Sequence, residues 1–163
     1  MSVTSWRTEL VATAYTVALI ASLLWFLAGF RYFGFRQAAA AKILVPQSAR
    51  TSPLFPTVAA GLRFLGGLNG AFAFFAALLL ILQFTGSELF SDPRERGVVL
   101  IVFGVAHFSQ FAFNLPIIKG GQRHGETYWP VLSGPMLYIF IGDALDAAIN
   151  FGAAVIQFVS VGS

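Results

Sequence analysis

Gly142-Asp143-Ala144-Leu145-Asp146-Ala147-Ala148-Ile149-Asn150-Phe151 lies inside Val131 to Val161, the last of four long apolar runs in the chain. A helix that crosses lipid rarely carries a carboxylate, because each one costs about 2.5–3.5 kcal/mol to insert near the bilayer centre. This run carries two, with an amide beyond them. Spacings of three and then four residues put Asp143, Asp146 and Asn150 on one face of a helix. The rest of the sequence reads as a supply of partners for that face.

Composition supports lipid as the solvent. Of 163 residues, 57% are hydrophobic and only 10% are charged. A soluble domain carries about 25% charged residues and needs them to cover its surface. The net charge of +3 sits mostly between apolar runs, where it meets headgroups rather than nucleic acid. No basic cluster interleaved with aromatics tracks a phosphate backbone, so nucleic acid is not an expected partner. The chain has no cysteine. That removes disulfides, thiolate metal sites, iron–sulfur clusters and cysteine nucleophiles together.

Four spans follow from the apolar runs, about 10–33, 57–84, 97–118 and 131–161, each near or above the ~20 residues that a crossing needs. The expected fold is all-α, an integral membrane four-helix bundle forming one domain over 1–163. The first run is longer than a secretory h-region, and Arg7 is offset by Glu9, so it reads as a span. Its Trp6, Tyr15, Trp25 and Tyr32 read as interfacial or packing aromatics. Residues 34–56 form the longest loop; Ala38 to Val45 reads as a connector or a short interfacial helix ended by Pro46. At about 1.5 Å per residue the fourth run exceeds the ~30 Å lipid core, so one end is expected to protrude or kink, with Pro135 marking the place.

The second run opens with Arg63, Gly66, Asn69 and Gly70. Gly66 and Gly70 form a GxxxG face suited to close helix packing. Arg63 lies two turns inside the span and needs a partner. The third run carries His107, Gln110 and Asn114, again three and four apart. Matching the helices by depth pairs Arg63 with Asp143 as an intramembrane ion pair, with Asn114 nearby. It places His107 and Gln110 opposite Asp146 and Asn150. The expected polar seam therefore lies between the second, third and fourth runs, with the first run the most lipid-exposed.

Three readings of the seam stay open. Buried polar groups act as interhelical glue worth about 0.6–2 kcal/mol per bond. A pocket lined by Gln110, Asn114, Asn150, Asn69 and many phenylalanines would hold a quinone, isoprenoid, carotenoid or lipid, whether cofactor or pigment. His107 beside Asp146 would form an acid–base pair, and these two are the catalytic candidates. No ligand-spacing motif indicates a metal. No nucleophile elbow, zinc-protease or phosphate-loop signature is present.

Loops one and three carry Arg31, Arg36, Lys42, Arg50, Lys119 and Arg123, against Arg7, Arg94 and Arg96 on the other side. The positive-inside rule puts loops 34–56 and 119–130 in the cytoplasm and both termini outside.

The stretch Ala60-Gly61-Leu62-Arg63-Phe64-Leu65-Gly66-Gly67, opening the second of four spans, resembles the DoxX-like group of small bacterial four-helix membrane proteins. The resemblance covers helix count, span order and the Arg-x-x-Gly-Gly opening. It implies a bacterial inner-membrane protein, accessory to a redox or energy-transducing complex, and it carries over no catalytic residue. The sequence's first reading is thus a structural or accessory subunit, partnered by other membrane subunits, by copies of itself and by lipid. Its second is a protein that binds a hydrophobic ligand in the seam.

Overall fold

The structure, a computed structural model, describes residues 3–125 and 127–161. It is an all-α bundle. Four long helices, α1 (Val3–Phe35), α3 (Leu54–Phe84), α4 (Pro93–Lys119) and α5 (Gly134–Val161), are each long and apolar enough to cross a membrane. A short helix α2 (Gln37–Leu44) and a single 3-10 turn (Gln47–Ala49) fill the first loop. Two paired dipeptides, β1 (Arg123–His124) and β2 (Thr127–Tyr128), form a small hairpin in the third.

Local chemistry sets the helix ends. Asp92 caps α4: its carboxylate accepts from the Arg94 N–H at 2.6 Å, Pro93 fills the first position and Lys119 sits in the last turn. Arg50 closes α2 from outside, its guanidinium donating to the carbonyls of Val45 and Lys42. The expected kink at Pro135 does not arise. Helix α5 starts at Gly134, so Pro135 occupies its first turn, where its missing N–H has no intrahelical partner to lose.

Helix α1 packs along α3 and against α5, α4 packs along α5, and α2 folds back on α3. The first span is therefore not the more exposed helix that was expected: its most apolar stretch is buried as much as those of α3 and α4. Tyr15, Ala18, Leu19, Ser22 and Phe26 of α1 are all buried, and α1 is the helix that joins the two halves. Its apolar run carries no charged stripe, so its inward face is invisible to a search for polar periodicity.

The α1–α3 contact is backbone to backbone. A Cβ on Gly66 would lie 2.4 Å from the Gly34 nitrogen, so only glycine permits this approach. A turn further, Gly70 receives the ring of Phe30. Helices α3 and α4 are bridged by rings instead: Phe103 lies 5.9 Å from both Phe72 and Phe75, centroid to centroid. These rings join Leu19, Leu79, Leu100, Ala76 and Ala153 in one dry core. Large apolar side chains such as Phe64, Phe74 and Phe113 point outward, as a lipid solvent requires.

Candidate functional site

One face of α5 is buried along its length: Met136, Asp143, Asp146, Ala147, Asn150, Ala153, Ala154 and Gln157. The three- and four-residue spacing seen in the sequence is this face, and the polar residues on it meet different partners at different depths.

Asp143 Oδ1 is the meeting point of three helices. It accepts a hydrogen bond from Trp25 Nε1 of α1 at 2.9 Å and lies 3.2 Å from His107 Nδ1 of α4. Gly142 makes the first contact possible, since a Cβ there would sit 2.2 Å from the indole ring. His107 is buried and stacked on Phe26, ring centroids 4.4 Å apart. Phe26 stacks in turn on Phe72 of α3 at 4.9 Å. Donation to Asp143 puts a proton on Nδ1; Nε2 is then an acceptor in the neutral ring and a donor in the cationic one. Nε2 has no hydrogen-bond partner among the described residues.

Asp146 lies one turn deeper, buried, within electrostatic range of both His107 and Asp143. Its carboxylate receives no hydrogen bond from the described residues. Asn150, deeper again, donates through Nδ2 to Ser22 Oγ at 2.9 Å and to the Asp146 carbonyl at 2.8 Å. Its Oδ1 is buried without a hydrogen-bond partner among the described residues. Further along, Gln157 Nε2 donates to the Val11 carbonyl. The seam therefore runs between α1, α4 and α5.

Arg63 does not take part. It is exposed on α3, and the ion pair with Asp143 expected from matched depth is not formed. Depth was a sound guide to level but not to azimuth, and the donors that reach Asp143 are an indole and an imidazole. His107 likewise bonds Asp143 rather than Asp146. Asn114 spends its amide on the Gln110 carbonyl of its own helix. Asn69 donates to the Leu65 carbonyl, and its Oδ1 occupies the space a Cβ on Gly29 would need.

A cavity of about 550 Å³ opens beside the Asp143–His107 pair. All four long helices contribute to it: Trp25, Phe26 and Tyr32 from α1, Asn69 and Phe72 from α3, His107 and Gln110 from α4, Tyr138 and Asp143 from α5. Ile43 of α2 lines it as well. Asn114, Asn150 and Asp146 are not in its wall. Among the described residues, no group of three or more His, Asp or Glu side chains is placed to hold a metal ion.

Trp25, Ser22 and Phe26 are site residues that the sequence reading missed. Trp25 did carry a signal. An indole ten residues inside a span lies away from the interfacial belt, and its N–H needs an internal acceptor. No family model, no curated protein and no solved structure matches the chain.

Proposed function

We propose that the protein binds a membrane-dissolved small molecule in the cavity between its four long helices, with an apolar body against the phenylalanines and a polar end at Asp143 and His107. The carrying observation is a cavity of about 550 Å³ with buried Asp143 and His107 and half-buried Trp25 bonded together in its wall. That volume falls within the roughly 300–1,000 Å³ of small-molecule sites, and an apolar lining with a few convergent polar groups is their usual chemistry. Packing alone accounts for it poorly: glue between helices needs no space beside it, and close-packed interiors leave few voids.

The Asp143–His107 pair gives the site acid–base capacity. Asp143 orients the imidazole, and Nε2 is left to accept a proton or a hydrogen bond from the occupant. The bias of lysine and arginine toward loops 34–56 and 119–130 supports a cytoplasmic side for them, and a bacterial inner membrane follows from the DoxX-like resemblance. Membership of the DoxX-like group and a seat beside other membrane subunits belong to the same proposal. They are supported by the Arg63-x-x-Gly66-Gly67 opening and by an apolar outer surface.

Trp25 is a built-in reporter. In a Trp6→Phe, Trp129→Phe background its emission isolates the cavity. Titration with an organic extract of the host membrane should give a saturable change that Ala106→Phe, which fills the cavity from α4, abolishes. An unsaturable response, equal in both proteins, would contradict the proposal.

A further inference from the structure

The acidic end of the cavity is short of hydrogen-bond donors. Asp143 Oδ1 takes both available donors, Trp25 Nε1 and His107 Nδ1, and Oδ2 takes none from the described residues. The Asp146 carboxylate, one turn behind, receives none. His107 Nε2, on a side chain only 1% exposed, has no hydrogen-bond partner among the described residues. Donors lie elsewhere in the wall, on the Gln110 amide and the Tyr32 and Tyr138 phenols.

The charges are equally one-sided. Neither lysine nor arginine lines the cavity, and Arg63 is turned away from it. Two buried carboxyl groups lie near one imidazole, which bonds only Asp143. Even a cationic His107 could neutralise only one of them, and a buried charge without a counter-charge is costly in a membrane. The walls add Trp25, Phe26, Phe72 and Tyr138, whose ring faces attract positive charge.

We propose that the occupant is a lipophilic organic cation, its positive end at Asp143, its field completed by Asp146, and its body against the aromatic wall. This rests on the cavity being a ligand site, and it narrows that reading away from neutral quinones and isoprenoids. An N–H-bearing ammonium group satisfies the geometry best, because it brings donors and charge together.

Two probes of matched shape separate charge from fit: 4-phenylbutylammonium and neutral 4-phenylbutanol, read by Trp25 emission in discs of zwitterionic lipid. The ammonium should bind at least ten-fold more tightly than the alcohol. Asp146→Asn should remove most of that preference. This variant loses no hydrogen bond to the described residues, so its fold should be retained, as helical circular dichroism would report. Equal binding of the two probes, or an ammonium preference untouched by Asp146→Asn, overturns the inference. Saturable binding of the alcohol alone overturns it while leaving the cavity as a ligand site. Binding of neither overturns it too, and the small-molecule mass carried by the native protein then judges the cavity separately.

Discussion

Trp25 Nε1 donates a 2.9 Å hydrogen bond to Asp143 Oδ1, tying the first long helix to the last across 118 positions of sequence. In lipid such a bond has little competition from water, though the unfolded chain also finds partners there. Trp25→Phe keeps an aromatic ring and deletes the donor. It should cost about 0.6–1.7 kcal/mol in reversible unfolding from mixed micelles. Gly142→Ala should cost more, about 1–3 kcal/mol, because the indole must move to admit a methyl group.

Gly66 and Gly67 are neighbours with opposite surroundings. A Cβ on Gly66 meets the Gly34 backbone, which cannot yield without separating the helices, whereas a Cβ on Gly67 meets nothing within 4 Å. Gly66→Ala should therefore destabilise the α1–α3 pair by about 1–3 kcal/mol. Gly67→Ala should be neutral or stabilising, since alanine is the better helix former by about 1 kcal/mol. The same unfolding titration checks both.

These contrasts show what a sequence can and cannot carry. Hydropathy alone marks the four spans, because lipid demands about 20 apolar residues whatever the fold. The spacing of Asp143, Asp146 and Asn150 marks the inward face of α5, because carboxylates cannot face hydrocarbon. The partners were not legible in the same way. Ser22 and Trp25 each contribute one donor or acceptor on an otherwise apolar helix, and neither forms a periodic stripe. Arg63 looked like the natural counter-charge, but sequence fixes its depth and not the direction in which the side chain leaves the bundle. The cavity has no sequence signature, since it arises where four helices fail to meet.

Ser22 and Asn150 should be thermodynamically coupled. Ser22→Ala and Asn150→Ala in a double-mutant cycle should show an interaction of about 0.6 kcal/mol, up to about 1.7. Arg63→Ala and Asp143→Asn, by contrast, should be additive within about 0.5 kcal/mol, as for residues with no shared partner. Additivity in the first cycle, or strong coupling in the second, would mean the seam is assembled differently.

Asp92 holds the entry to α4 with a 2.6 Å bond to the Arg94 N–H. Asp92→Ala should lower stability by about 0.5–2 kcal/mol, the usual loss of a helix N-cap. It lies at the far end of α4 from His107's partners in the cavity wall, so Trp25 emission and its response to ligand should not change.

The central claim is that the cavity beside Asp143 and His107 holds a small molecule. Its most direct test is the intact mass of the protein released from native-membrane lipid discs, compared with the Ala106→Phe variant prepared alongside. One small-molecule mass per chain, present in the native protein and missing from the filled variant, is the predicted result. A bare chain mass in the native protein, or the same added mass in both, would contradict the account.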